Sequence, residues 1–266
     1  MNLAFIGGGV MANAIIGGIL SKGVASADEI AVCEIVAARR EQLEATHNVR
    51  ACEDCAGAVA GADIVVLAVK PQEFAATAAE LATHLTDDQA VMSIMAGVNI
   101  DTLSRSLGAR AIVRVIPNTP AQIGEGFSVW TATEGVSAPV LEAIDRILSV
   151  LGQEVYVAEE KYVDMATAVS SSGPAYVFLV IEAMIDAAVH IGIRREMAMP
   201  MVLQTVLGSA RYLQAVDKHP AEARNMVTSP GGTTTEALLV LEDAGLRAAF
   251  ISAIEAAYEK AKQLGG

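Results

Sequence analysis

At 266 residues the chain is long enough for one large domain or two ordinary ones, and it needs no disulfide or metal staple to fold. Hydrophobic residues make up 53% and charged ones 18%, which excludes disorder as the main state. A net charge of −13 and only 4% aromatics argue against nucleic acid, whose binders need a basic footprint or stacking platforms. The opening Met-Asn-Leu-Ala-Phe-Ile-Gly has no basic n-region, so no cleaved signal is expected. The most apolar stretch, Ala175 to Val189, holds Glu182 and Asp186 and is not expected to span a membrane. With three cysteines and no disulfide framework, the expectation is a cytoplasmic protein that binds neither nucleic acid nor membrane.

In chain order, Leu3–Ile6, Ile30–Cys33, Ile64–Val69, Ala90–Ile94 and Ala111–Ile116 read as strands. Their apolar residues are consecutive, as strands covered on both faces require. Ala-rich segments such as Met11–Lys22 and Glu73–His84 lie between them and read as helices. That alternation predicts an α/β fold, a parallel sheet wound with helices on both sides. After Glu159 the strands stop. Lys161–Val169, Ala175–Ile191, Glu196–Val216 and Leu246–Leu264 all read as helices, with Gly173-Pro174 marking one start. The expected division is a Rossmann-like dinucleotide-binding domain over residues 1–159 and an all-α domain over 160–266. The first carries 9 basic and 19 acidic residues, the second 9 and 12, so neither is a polyanion binder by bulk charge.

The strand Leu3–Ile6 runs into Gly7, Gly8, Gly9, Val10, Met11 and Ala12, which fits G-x-G-x-x-A. The first glycine permits a tight turn, the second lets a pyrophosphate approach the backbone, and Ala12 lets the helix pack on the strand. The helix N-terminus offers N–H groups to phosphates. The motif alone is weak; its place between a strand and a helix gives it weight. Glu34 closes the second strand, where a carboxylate accepts from ribose hydroxyls and repels a 2′-phosphate, leaning the cofactor toward NADH. Arg39 and Arg40 are close enough to reach a phosphate, but the better reading of both is solvated charge on a helix face. Ala68, Val69, Lys70 and Pro71 follow one strand, and Met95 and Ala96 follow another. Both turns lie at carboxyl ends of strands and are placed for the nicotinamide half.

Two segments stand out in the helical half. Ser170, Ser171 and Ser172 put three hydroxyls before Gly173-Pro174-Ala175-Tyr176, more than one helix cap needs. The second is Ser229-Pro230-Gly231-Gly232-Thr233-Thr234-Thr235-Glu236, in which Thr233 and Glu236 fit a T-x-x-E capping box and the glycines expose N–H groups to a small carboxylate. An ordinary capped helix after a turn is an equal reading of that motif. Cys52-x-x-Cys55 is spaced for a redox pair at a helix start, but it has too few neighbouring ligands for zinc and reads better as a pair of small, buried or half-buried residues; no metal site is expected.

These motifs together resemble the pyrroline-5-carboxylate reductase family. The matches are Phe5-Ile6-Gly7-Gly8-Gly9-Val10-Met11-Ala12, Val69-Lys70-Pro71-Gln72, Arg114 through Pro120, Ser172 through Tyr176, His219-Pro220 and Ser229 through Thr234, in family order over nearly the whole chain. Glu34 departs from the small polar residues that usually receive the NADPH phosphate, Ser171 from a usual glycine, Ile116 from a usual methionine and Met95 from a usual alanine. The resemblance implies reduction of 1-pyrroline-5-carboxylate to L-proline by NADH or NADPH, the last step of proline biosynthesis. It further implies that N–H groups of Gly232, Thr233 and Thr234 hold the substrate carboxylate, that the Thr234 hydroxyl bonds the ring nitrogen, and that Ser172 and Asp217 lie near the substrate. Asp217 reads equally well as a loop carboxylate. Family members form intertwined dimers through the C-terminal domain, often assembled into decamers. An apolar Ala175–Val189 helix with one narrow charged stripe independently calls for a partner's cover.

Two rivals share parts of this pattern. A hydroxy-acid dehydrogenase needs a Lys or His base in a cleft. Neither lies near Ser172–Tyr176, since Lys161, Lys218, Lys260 and Lys262 are elsewhere and His190 is far down the helix. A non-catalytic nucleotide sensor would keep the Gly7–Ala12 loop but need no Ser229–Thr234 cradle.

Overall fold

The computed structural model describes residues 1–265, which fall into two compact units: residues 1–173 with the stretch from Ala257 onward, and Pro174–Ala256. The first unit is built on one eight-stranded sheet of β1 (Leu3–Ile6), β2 (Ile30–Cys33), β3 (Arg50–Cys52), β4 (Ile64–Leu67), β5 (Ala90–Ser93), β6 (Ile112–Ile116), β7 (Gly126–Ala132) and β8 (Gly152–Tyr156). Their spatial order is β3-β2-β1-β4-β5-β6-β7-β8, and every neighbouring pair is parallel except β6 with β7. The five expected strands are present within a residue or two. The other three lack a consecutive apolar run: β3 has three residues, β7 contains Gly126, Ser128 and Thr131, and β8 is an edge strand with polar Gln153 and Glu154.

Alternation along each strand feeds two cores. Leu3, Phe5, Val32, Ile64, Val66 and Met92 point to one face; Ala4, Ile6, Ala31, Val65, Leu67 and Val91 point to the other. Helices α1 (Val10–Lys22), α2 (Ala37–His47), α3 (Cys55–Val59), α4 (Phe74–Leu81), α5 (Ile100–Leu107) and α6 (Ala138–Ser149) cover the sheet. Ile15, Ile16 and Ile19 of α1 and Ile144, Ile147 and Leu148 of α6 seal the first face, while α3, α4 and α5 seal the second. The chain leaves β1 toward β2 on one side, and β4 pairs with β1 on the other. The carboxyl ends of β1 and β4 therefore flank a topological switch point, where open α/β sheets bind ligands.

The change from strand to helix comes at α7 (Lys161–Ala166), close to the expected 159/160 boundary, but the first compact unit continues through Gly173. Arg114 on β6, 1% exposed, explains why. Its guanidinium bonds Glu160 Oε1 at 2.7 Å and Asp164 Oδ1 at 2.6 Å, and Glu160 Oε1 also accepts the Ile100 N–H at 2.7 Å. A buried cation thus ties α7 to the sheet. Beyond α7 a π turn, Thr167–Ser171, leads directly into α8 (Gly173–His190), with the Ser172 N–H donating to Thr167 O at 2.9 Å. Ser170 and Ser171 therefore lie inside the π turn with Ser172 at its end, and Gly173-Pro174 opens α8, as the sequence indicates.

The second unit holds the rest of α8, then α9 (Arg195–Val216), α10 (Pro220–Met226), α11 (Thr233–Asp243) and most of α12 (Leu246–Gly265). Its fully buried cluster is small: Ile185 of α8 with Ala198 and Val202 of α9. Phe178 and Leu179 are 56% and 66% exposed. One helical run, Lys161–His190, is long and apolar enough to cross a membrane by length and composition alone; it carries Glu182 and Asp186, and Asp186 pairs with Arg195 at 2.7 Å.

Candidate active site

The loop after β1 is a shaped cradle. Gly7 holds φ +97°, its N–H donates to Cys33 O at 2.8 Å, and a Cβ there would lie 2.9 Å from Ala68 O. Only glycine fits that close approach. A Cβ on Gly9 would meet nothing within 4 Å, so the loop leaves open space on its outer side. Gly9 precedes the first turn of α1 and supplies no side-chain cap, which leaves the orphan N–H groups of that turn for a ligand. Open space, aligned donors and a helix N-terminus fit a dinucleotide pyrophosphate.

Gly7, Gly9, Glu34, Ala68, Val69 and Lys70 line one cleft of about 710 Å³ at this switch point. Other expected residues stand around it. Gly8 sits behind the loop, where a Cβ would lie 2.6 Å from Leu43 Cδ1; Ala12 is fully buried; Val10 is exposed, Met11 half-buried, and Pro71 opens a short 3-10 turn. Met95 is buried in the second core, and Ala96 packs with Ile116, Val129 and Val163, so neither side chain lines that cleft. The turn they belong to also meets the chain's end, since a Cβ on Gly97 would lie 2.5 Å from Leu264 Cβ.

Glu34 is 4% exposed. Its Oε2 accepts the Gly8 N–H at 3.0 Å and its Oε1 accepts the Val36 N–H at 2.9 Å. Arg39 and Arg40 divide in a way the sequence did not indicate. Arg40 is no solvated helix charge: its Nη1 donates to Glu34 O at 2.7 Å and Ile35 O at 3.0 Å, because the chain turns back over it after β2. Arg39 lines the cleft, with Nη1 3.6 Å from Glu34 Oε2. The reading also missed Cys33, Glu53, Cys55, Gln72 and Glu80 on the cleft wall. Cys33 ends β2, Glu53 follows β3, Cys55 opens α3, Gln72 lies in the turn after β4 and Glu80 on α4, so only the assembled sheet brings them to one wall.

Asn118 is a junction within the first unit. Its Oδ1 accepts the Phe127 N–H at 2.9 Å and its Nδ2 donates to Ser170 Oγ at 3.2 Å. This links the Arg114–Pro120 motif to the serine run. Ser172, half-buried, lies two residues on.

In the second unit, Gly232 is the N-cap of α11, Thr233 is its first residue, and Thr234 is half-buried. The expected Thr233–Glu236 capping box does not form, because the helix starts one residue too early: Thr233 is already its first residue and Gly232 holds the cap position. Instead the Thr235 hydroxyl donates to Ser229 O at 2.8 Å and the Gly232 N–H donates to the same oxygen at 3.0 Å, tightening the Ser229–Gly232 turn. A Cβ on Gly232 would lie 2.5 Å from Ser229 Oγ, so a larger residue there would displace that hydroxyl. Asp217 is exposed and ends α9 in a left-handed conformation, φ +47°. His219 caps α10, its Nδ1 accepting the Ala221 N–H at 3.2 Å. Among the described residues no group of three or more His, Cys, Asp or Glu could hold a metal ion.

A glycine-rich turn at the switch point of a parallel-dominated sheet, followed by an all-helical unit, defines a Rossmann-type oxidoreductase of two units. Residues 2–97 match the family described as NADP oxidoreductase coenzyme F420-dependent, and residues 160–264 match that described as pyrroline-5-carboxylate reductase dimerisation. A pyrroline-5-carboxylate reductase of Synechocystis is 40% identical over 265 residues, covering 100% of this chain and 98% of its own. The solved Coxiella burnetii pyrroline-5-carboxylate reductase superposes with TM-score 0.90 at 35% identity, over 100% of this chain and 98% of that one. The Plasmodium falciparum pyrroline carboxylate reductase, solved with NADP bound, gives TM-score 0.91 at 30% identity over the same shares. The chain belongs to the pyrroline-5-carboxylate reductase family.

Proposed function

We propose that the chain reduces 1-pyrroline-5-carboxylate to L-proline with NADH or NADPH, the closing step of proline biosynthesis. The observation that carries this reading is one chain of this family holding both the open cradle at Gly7–Gly9 and the glycine-rich turn before α11. The bound dinucleotide supplies a hydride to the imine carbon. The open side of the loop at Gly9 and the N–H groups of Val10 and Met11 take its pyrophosphate; Gly7 and Gly8, whose N–H groups are held by Cys33 O and Glu34 Oε2, shape the turn behind it, and Ala12 packs α1 close. Glu34 accepts from the adenosine ribose, and Ala68, Val69, Lys70, Pro71, Met95 and Ala96 border the nicotinamide half. N–H groups of Thr233 and Thr234 hold the substrate carboxylate, while the Gly232 N–H, expected to join them, is spent on Ser229 O and shapes the turn instead; the Thr234 hydroxyl bonds the ring nitrogen, and Ser172 and Asp217 flank the ring. An imine that arrives protonated makes its carbon electrophilic without a strong enzymic base, so positioning is the chain's main contribution.

The family match to a dimerisation region at 160–264 supports self-association through the helical part. A decamer of dimers belongs to the same reading, by family resemblance. So does work in the cytoplasm, which three free thiols suit. The test is turnover of 1-pyrroline-5-carboxylate with NADH and NADPH in parallel, with proline measured directly. Oxidation of NAD(P)H that depends on the imine and yields proline in equal amount supports the reading; no proline at high enzyme and substrate overturns it.

A further inference from the structure

Cys33 and Cys55 face each other across the wall of the dinucleotide cleft, Sγ to Sγ 3.6 Å apart, and both line that cleft. The sequence spacing points instead to Cys52 with Cys55. Cys52 Sγ, however, engages Val32 O at 3.6 Å, and Cys52 is not among the cleft-lining residues. We propose that Cys33 and Cys55 form a reversible disulfide that weakens dinucleotide binding, a thiol-oxidation site built into the cofactor pocket. The inference rests on the dinucleotide reading of that cleft.

Three observations carry it. First, the thiols already touch, and closing to a disulfide length of about 2.05 Å requires roughly 1.5 Å of approach. Second, the movement cannot stay local. Cys33 O accepts the Gly7 N–H at 2.8 Å, the next residue, Glu34, accepts the Gly8 N–H at 3.0 Å, and the Cys55 N–H donates to Glu80 Oε1 at 3.1 Å. Drawing the end of β2 toward α3 pulls on two N–H groups of the glycine loop. Third, both side chains are buried from bulk solvent yet border an open cleft that a small oxidant enters and a bound dinucleotide fills. The Cys55 S–H, donating to Cys33, holds the Cys33 thiol below its usual range and is itself pushed up, so Cys33 is the better nucleophile.

With a hydroperoxide as oxidant the step balances. The Cys33 sulfur attacks one peroxide oxygen, the O–O bond breaks, and a sulfenic acid and one water form. The Cys55 sulfur then attacks the Cys33 sulfur, the S–O bond breaks, and a second water leaves. Two thiols lose two electrons and two protons to one hydrogen peroxide. A small dithiol reverses the change by exchange.

The experiment treats the full chain with hydrogen peroxide, with and without saturating NADH, then maps disulfides by peptide mass and measures NADH affinity by fluorescence. The expected result is a Cys33–Cys55 bond, slowed by NADH. NADH affinity falls about tenfold, the scale of one or two lost hydrogen bonds, and dithiothreitol restores it. Cys52→Ser should retain the response, while Cys33→Ser and Cys55→Ser should each lose it when oxidised and reduced forms of the same variant are compared. A bond between Cys52 and Cys55, or no disulfide, overturns the proposal, as does a Cys33–Cys55 bond with unchanged NADH affinity. Failure of the reduced protein to bind NADH or NADPH at all instead overturns the dinucleotide reading, and the switch with it.

Discussion

The Gly8 N–H donates to Glu34 Oε2 at 3.0 Å, so the carboxylate at the end of β2 is fastened to the loop it serves. Arg39 stands on the same oxygen's other side at 3.6 Å. One buried anion therefore orders the glycine loop and holds a cation at the cleft's edge.

Replacing Glu34 by Ser should raise kcat/KM for NADPH relative to NADH by about tenfold or more. The change removes a charge that opposes a 2′-phosphate and frees Arg39 to pair with one, a charge-assisted contact of about 1.5–3 kcal/mol. Adding Arg39→Ala should cancel the gain. A wild-type protein that already prefers NADPH strongly would show the Glu34 argument to be wrong.

Thr234→Ala should lower kcat/KM about ten- to a hundredfold, the worth of one hydrogen bond to a charged ring nitrogen. Thermal unfolding should barely move, because the turn before α11 is closed by Thr235 and Gly232 on Ser229 O. Steady-state kinetics beside a melting curve separate the two effects. Unchanged kcat/KM removes Thr234 from the mechanism.

Arg114→Ala should destabilise the first unit by about 3–5 kcal/mol, since it strands Glu160 and Asp164 beside a cavity in the sheet wall. Urea unfolding gives the number, and a loss below about 1 kcal/mol would mean that those carboxylates turn to solvent instead.

The parallel sheet, its helical cover and the glycine cradle were legible because they are written in local pattern: consecutive apolar runs and a spaced glycine motif. Strands without such runs were not, as β8 shows, where pairing with β7 decides the conformation of Gly152–Tyr156. The capping box failed for a related reason. The Ser229–Gly232 turn, closed by Thr235, sets the start of α11, and a four-residue pattern does not reveal that competition. Arg40 and the Cys33–Cys55 pair depend on chain reversals after β2 and β3, so residues distant in sequence had to be placed before either could be read.

Stability should fall on mild acidification, in part through His47. Burial holds its imidazole below the ordinary value of 6.5, where it pairs with Asn13 Oδ1 at 2.6 Å. The unfolded chain then binds more protons than the folded one between the two values. The contribution is present above about pH 6.5 and is lost as pH falls toward the folded value. Urea midpoints measured from pH 7.5 to 5 should drop less steeply for His47→Gln than for wild type. Equal slopes would assign the acid sensitivity to other groups.

The helical unit should be stable only as an oligomer. In α8 and α9 the fully buried cluster is Ile185, Ala198 and Val202, whereas Val177, Phe178 and Leu179 are all more than 40% exposed in the single chain. Surface of that kind on consecutive residues of one helix marks an interface, and burying one such side chain contributes about 1.5–3 kcal/mol. A twofold interface doubles every substitution, so Leu179→Glu should remove two apolar contacts and place two carboxylates in the seam. Light scattering should show the wild type as a dimer or larger, with a Tm that rises with protein concentration, and Leu179→Glu as a smaller species of lower Tm. A Leu179→Glu protein of unchanged mass and unchanged Tm would take α8 out of the interface, and a fully active wild-type monomer would defeat the prediction altogether.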